Sequence, residues 1–236
     1  MRYTRHELKS DRFAETAAEA VHWTAAHRSK LLTGGIAVAL IVVLAIGGYW
    51  YVNHRNNQAG VELGKAMTIY NAQLRPSSIP ADPNVVSFTS VEERSKAARH
   101  EFARIVDKYG STHSGQLAKY FVALTEQDLG NTSDTEKQLK EISTTGDADV
   151  AALAKFALAS VYRNTNREAD AVRTYKDIID HPARTVPKVT AQLELADVYA
   201  ATQPAEARKI YEQIAKEDPK GPGAEIAAQR QAALKQ

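Results

Sequence analysis

The sequence of 236 residues contains no cysteine, which excludes disulfide bonds, thiolate metal sites, cysteine nucleophiles and an acylated N-terminal cysteine. This absence is compatible with reducing and oxidising compartments alike. Helix-breaking and aromatic residues are also scarce, with 8 prolines and an aromatic fraction of 7%. Together with the alanine-rich stretches, this composition favours an all-α fold.

The chain also has little net charge, +2 at pH 7. The first 30 residues hold six basic and four acidic side chains, and the remainder holds 24 of each sign. Such a neutral region lacks the basic surface that binding to a phosphate backbone requires. We therefore exclude nucleic acid as a partner.

Catalytic motifs are missing as well. The stretch HEFAR at His100 begins like a zinc-protease motif, but Arg104 stands in the place of the second histidine. Neither a phosphate-binding glycine loop nor a Gly-x-Ser-x-Gly elbow occurs, and no two histidines have ligand spacing. We predict a protein that is not an enzyme and has no metal or cofactor. A membrane-bound hydrolase, the enzymatic alternative, requires a clustered polar pocket that the sequence does not indicate.

From Leu31 to Val52 the sequence has 22 residues without a charge. A helix of this length spans about 33 Å, enough to cross the hydrocarbon core of a bilayer. Trp50 lies near its end, as is typical of a membrane interface, and Gly35 with Ala39 forms a small-xxx-small pair that can let another helix approach. We predict an uncleaved membrane anchor over residues 31–52. The alternatives are a buried core helix and a cleaved signal peptide.

The distribution of basic residues predicts the orientation of this anchor. Six Lys or Arg residues precede it, whereas Arg55 and Lys65 are the only two in the next twenty residues. This bias places residues 1–30 in the cytoplasm and the C-terminal domain beyond the membrane, which in a bacterium is the periplasm. The tail has a helical pattern, and it either contacts the membrane or a partner or is simply solvated.

A second pattern recurs after 37 residues in the C-terminal half. A Leu-Ala pair is followed by Tyr and, after a polar turn, by Ala, an aromatic residue and Ile. The two copies are Leu158, Ala159, Tyr162, Ala171, Tyr175 and Ile178, and then Leu195, Ala196, Tyr199, Ala207, Tyr211 and Ile214. Repetition at this spacing marks stacked structural units rather than a duplicated active site.

Two further copies, which match the pattern less well, precede these two. The first is interrupted by a proline-bearing segment that we predict to be a surface insertion over residues 75–90. The matching residues are Leu63, Gly64, Ala98, Phe102 and Ile105 in the first copy, and Val122, Ala123, Thr135, Leu139 and Ile142 in the second. The expected organisation is therefore a repeat domain of about four helical hairpins over residues 53–220 and a C-terminal capping helix within 221–236.

This spacing resembles the tetratricopeptide repeat, a pair of antiparallel helices with a period of about 34 residues. The resemblance implies an all-α solenoid, because one hairpin cannot cover its own apolar face and must stack on the next. The tryptophan that commonly opens the motif is replaced by Lys155 and Gln192 in the two clear copies. An ordinary antiparallel helix bundle is the alternative.

The resemblance also implies a binding face formed by the first helix of each hairpin, at positions two before and two after the motif leucine. The predicted partner-binding groove consists of Val61, Tyr120, Leu124, Phe156, Ser160, Leu193 and Asp197. The earlier position is apolar in every copy, which disfavours a clamp for a terminal carboxylate. It favours hydrophobic or extended segments or a partner's helix. The alternative is that these side chains only fill the gaps between helices.

The whole layout of basic tail, membrane helix and degenerate repeats resembles the YfgM-like family of ancillary SecYEG translocon subunits. That resemblance implies a single-pass protein of the bacterial inner membrane that links protein export to periplasmic chaperones. Its expected partners are the SecYEG translocon, those chaperones and exported chains. A periplasmic scaffold for envelope assembly or cell division is the alternative function.

Overall fold

The computed structural model describes residues 28–234 of the chain. These residues belong to two compact units that divide between His54 and Arg55. Residues 1–27 of the predicted cytoplasmic tail, with their helical pattern, lie outside the described residues.

The first described helix, α1, runs from Arg28 to Tyr70 and passes the division between the units. Every side chain described between Leu32 and His54 is exposed, including Leu44 at 73% and Tyr49 at 76%. A helix that is apolar all round and buries none of these side chains is typical of a membrane span and not of a core helix. This helix is thus long and apolar enough to cross a membrane.

The second unit contains the rest of α1, eight further helices and two short strands among the described residues. The helices are α2 (Val91–Tyr109), α3 (His113–Asp128), α4 (Thr132–Ile142), α5 (Ala148–Asn164), α6 (Glu168–Asp180), α7 (Lys188–Thr202), α8 (Pro204–Glu217) and α9 (Pro222–Ala233). The strands are β1 (Gln73–Leu74) and β2 (Ser87–Phe88). The unit is therefore helical throughout except in the segment between α1 and α2.

The helices of this unit pack in the order of the chain. Helices α3 and α4, α5 and α6, and α7 and α8 form three hairpins, and each hairpin packs against the next. The C-terminal part of α1 pairs with α2 across the insertion, with Ala59 and Ala66 of α1 buried beside Phe102 of α2. Helix α9 covers the last hairpin. This confirms the predicted solenoid of four hairpins with a capping helix.

The repeated small, large and aliphatic positions of the second helix in each hairpin form the core. They are Ala98, Phe102 and Ile105, then Thr135, Leu139 and Ile142, then Ala171, Tyr175 and Ile178, and finally Ala207, Tyr211 and Ile214, all at most 3% exposed. The small residue lets the paired helix approach, and the large one fills the space towards its neighbours. Three apolar clusters built from these positions follow one another along the unit.

The turns between helices are specified by local side chains. Ser90, Thr112 and Asp147 each accept a hydrogen bond from a backbone N–H in the first turn of α2, α3 and α5. A Cβ atom at Gly115 would lie 1.9 Å from the carbonyl oxygen of Tyr109, so only glycine permits the close approach of α2 and α3. Gly130, with φ of 82°, makes the left-handed turn between α3 and α4.

The segment between α1 and α2 has its own small structure. β1 and β2 pair in parallel, with Gln73 opposite Ser87 and Leu74 opposite Phe88. The Arg75 guanidinium donates to the carbonyl oxygen of Ile79 at 2.6 Å. These bonds give a proline-containing segment a defined path on the surface of the first hairpin.

Candidate functional site

The candidate binding face lies on the first helix of each hairpin, here called the A-helix face and made of the seven predicted groove residues. Tyr120 and Leu124 lie on α3, Phe156 and Ser160 on α5, Leu193 and Asp197 on α7, and Val61 on the second-unit part of α1. The spacing of four residues within each pair places both members on one side of their helix. The structure therefore brings the predicted residues to corresponding places on successive helices.

The middle of the A-helix face is aromatic and half-buried. Tyr120, Leu124 and Phe156 pack against the largest core cluster, and the ring of Phe156 lies edge-on to that of Tyr175 at 5.9 Å between centroids. Burial, with a smaller contribution from Tyr70, raises the pKa of Tyr120 to about 12. These side chains therefore contribute to packing between helices while keeping part of their surface accessible.

The two ends of the A-helix face differ from its middle. Val61 is 60% exposed, whereas Leu193 is 7% exposed and packs in the cluster that α9 covers. Leu193 is therefore part of the core, and Val61 is the residue of this face that solvent reaches most freely. Ser160, half-buried, lies between these extremes.

Asp197 is bound by other residues of the chain. Its Oδ1 accepts a hydrogen bond from the Tyr211 hydroxyl at 2.8 Å, and its Oδ2 forms an ion pair with Arg230 of α9. Burial, followed by this hydrogen bond, raises the pKa of Tyr211 above its ordinary range. The Asp197 carboxylate thus fixes the capping helix at the end of the A-helix face.

Glu194 and Arg163, which the sequence did not single out, extend this polar network. Glu194 accepts from Arg163 of α5 at 2.8 Å and lies 3.9 Å from Arg230. Two guanidinium groups from different helices therefore meet at one glutamate. Arg230 could have been noticed in the sequence because it is the only basic residue of α9. Its partners, however, lie more than thirty positions earlier, so only the fold identifies them.

Two further groups of polar contacts join neighbouring helices. Glu126 is 3% exposed, forms an ion pair with Arg99 and accepts from Asn131 at 2.6 Å. His113 lies 2.5 Å from Asp147, the N-cap of α5. Within residues 28–234, no group of three or more metal-ligating side chains comes together. The described polar residues thus join helices to one another, and the arrangement is suited to binding a polypeptide.

The predicted anchor residues lie along the first part of α1. Ala39, Trp50 and Val52 are exposed, and the Trp50 ring stacks on His54 at 5.3 Å. Leu31 and Gly35 belong to the same helix, but their surroundings lie outside the described part of the structure. The described anchor residues therefore present an apolar surface that no residue within the described range 28–54 covers.

Comparison with protein families agrees with this architecture. A family model described as a tetratricopeptide repeat-like domain matches residues 22–220. No curated protein matches the chain. Among solved structures, the chain is similar to two crystal structures from Podosopora anserina, described as a kinesin light chain with nearly identical TPR-like repeats. Both have a TM-score of 0.49 and 18% identity over 60% of this chain, and the match covers 77% and 78% of the respective neighbour.

Proposed function

Because the chain belongs to the tetratricopeptide repeat-like domain family, we propose that it is a non-enzymatic, membrane-anchored interaction protein. In this proposal α1 crosses the bacterial inner membrane with the N-terminus in the cytoplasm. The helical repeats lie in the periplasm and bind protein partners. The observation that carries the proposal is the joining of an apolar segment of α1, exposed at every described side chain of residues 32–54, to a stack of hairpins with a partly exposed aromatic face.

The proposed partners are the SecYEG translocon, periplasmic chaperones and newly exported chains. The resemblance of the whole layout to the YfgM-like family supports this choice. Tethering also supports it, because an anchored binding domain has a high effective concentration at the membrane surface, where exported chains emerge. A half-buried face with few charges suits weak and reversible contact with apolar or extended segments of such chains.

Site-directed photo-cross-linking in intact membranes tests this function. A photo-reactive residue at Ser160 lies on the A-helix face, and one at the exposed Glu168 of α6 serves as the matched control in the same hairpin. We expect Ser160 to cross-link translocon subunits, chaperones and exported chains, and Glu168 to cross-link them far less. Cross-links to cell-division or wall-synthesis proteins instead would support the scaffold function and overturn this one.

The role of the A-helix face is tested without disturbing the core in a chain that carries the photo-reactive residue at Tyr120 of the same face. Val61→Asp and Ser160→Glu add charge at accessible positions, whereas Leu193 is left unchanged because it is buried. We expect the double variant to lose partner cross-links while its helicity and thermal midpoint stay unchanged. Undiminished cross-linking would show that these side chains only fill gaps between helices.

A further inference from the structure

An accessible pocket lies away from the A-helix face, between the second helices of the first two hairpins. It has a volume of about 220 Å³. Its walls are Ala103, Val106 and Asp107 of α2, Lys119 and Val122 of α3, and Gln138, Glu141 and Ile142 of α4. The floor is apolar, and the charged groups stand at the mouth. The pocket has room for one large apolar side chain.

The corresponding place in the third hairpin holds a longer side chain. Leu158, at the position of Val122, is 6% exposed and fills the core. Val122 is one carbon shorter and remains half-buried. The shorter side chain enlarges the space between the three helices, because neighbouring helices relax only partly.

A second difference is an ion pair in the third hairpin. Lys155 donates to Asp177 at 2.5 Å, which joins α5 to α6 across the equivalent gap. Lys119 and Glu141 occupy the same two positions in the second hairpin, again 22 residues apart. Among the described residues, no ion pair joins Lys119 to Glu141. The pocket therefore lacks both the longer side chain and the ion pair that are found at the corresponding place in the third hairpin.

The charges at the mouth indicate the kind of partner. Asp107 and Glu141 are exposed carboxylates on opposite walls, and Lys119 is the single cation among the lining residues. One negative charge is thus in excess beside an apolar floor. A partner that carries a basic group next to a large apolar side chain complements both features.

We propose that this pocket is a second docking site, which binds a partner protein through one large apolar side chain flanked by Lys or Arg. The site uses α2, α4 and two residues of α3, Lys119 and Val122, and none of these residues belongs to the A-helix face. A partner bound here leaves that face free. The protein can therefore hold two polypeptides at once, whatever the A-helix face binds.

Methyl NMR of the full chain in nanodiscs tests the proposal with three capped peptides: Gly-Arg-Phe-Arg-Gly, Gly-Glu-Phe-Glu-Gly and Gly-Arg-Ala-Arg-Gly. We expect the first to shift the methyl signals of Val106, Val122 and Ile142 saturably. The peptide without the aromatic ring should bind about tenfold more weakly, because the apolar contact is lost. The acidic peptide should also bind more weakly. Equal binding of the basic and acidic peptides, or no saturable shift, would overturn the proposal.

Matched variants of the pocket sharpen the test. Val122→Leu restores the side chain found in the third hairpin, so the fold is retained, and binding should weaken about fourfold, the equivalent of one methylene group of apolar contact. Neutralising the mouth with Asp107→Asn and Glu141→Gln should weaken binding about three- to tenfold. The control is Asp180→Asn, at the position of Asp107 in the third hairpin, which should change nothing. Unchanged affinity in the Val122→Leu variant, with its thermal midpoint preserved, would refute the site.

Discussion

Truncating the large aromatic residue of an inner hairpin should destabilise more helices than the same truncation in the last hairpin. Tyr175 is 1% exposed in the largest core cluster, and Tyr211 is 2% exposed in the cluster beneath α9. Both occupy the same position of the repeat. The variants Tyr175→Ala and Tyr211→Ala therefore compare the same truncation at two places in the stack, and Tyr211→Ala additionally removes the hydrogen bond to Asp197.

Each substitution should lower the free energy of unfolding by about 3–5 kcal/mol, the usual cost of truncating a buried aromatic side chain. In a solenoid, each hairpin is stabilised only by its own packing and by its neighbours. Loss of Tyr175 should therefore loosen α5–α8, on both sides of the cavity. Loss of Tyr211 should loosen only α7–α9, because no hairpin lies beyond them among the described residues.

Hydrogen exchange of the full chain, resolved by peptide and read by mass spectrometry, measures this difference. We expect protection of α2 and α3 to be unchanged by Tyr211→Ala. Tyr175→Phe is the control, since it keeps the ring and should cost less than about 1 kcal/mol. Equal loss of protection in every helix after Tyr211→Ala would show a single cooperative bundle and refute the stacked account.

Three further predictions concern caps and charges outside the membrane span. Ser90→Ala removes the hydrogen bond from Glu93 N at 3.1 Å and should cost about 1 kcal/mol in urea unfolding. Arg230→Met should speed hydrogen exchange in α9 selectively, because it frees the carboxylates that fix this helix. Burial raises the pKa of Tyr120 and of Tyr175 from 10.0 to about 12. The unfolded chain therefore ionises first, so the contribution of these two tyrosines to stability should be constant below pH 10 and fall between pH 10 and about 12, followed by absorbance at 295 nm and circular dichroism.

The hairpins could be predicted from sequence because each depends on a short repeated pattern of small, large and aliphatic residues. The pattern tolerates exceptions for local reasons. Thr135 stands where alanine is expected and is fully buried, yet its hydroxyl donates to the carbonyl oxygen of Asn131 at 3.1 Å. A buried polar atom is thereby satisfied within its own helix.

Features that depend on contacts between distant residues were not predictable in the same way. β1 and β2 are two residues each, too short for any alternating pattern. The burial of Leu193 results from α9, which folds back over α7. The repeat pattern gives its position on the helix but carries no information on what covers it.

The pocket between α2 and α4 shows what a repeat pattern can indicate once the structure is known. Val122 in place of leucine is visible in the sequence as a degenerate copy of the motif. Only the packing of α3 between α2 and α4 shows that the shorter side chain leaves an open space. A repeat copy that departs from the pattern is therefore a good place to look for a binding site, because the departure can mark a break in close packing.

The proposed function requires that the apolar helix α1 holds the stacked hairpins on the far side of a membrane. The absence of cysteine allows it to be tested directly with the single-cysteine variants Ser10→Cys and Asp134→Cys, the second at an exposed residue of α4. In spheroplasts of a bacterial host, a membrane-impermeant maleimide should label Asp134→Cys at once and Ser10→Cys only after the membrane is permeabilised. Labelling of Ser10→Cys from outside, or protection of Asp134→Cys, would contradict the account.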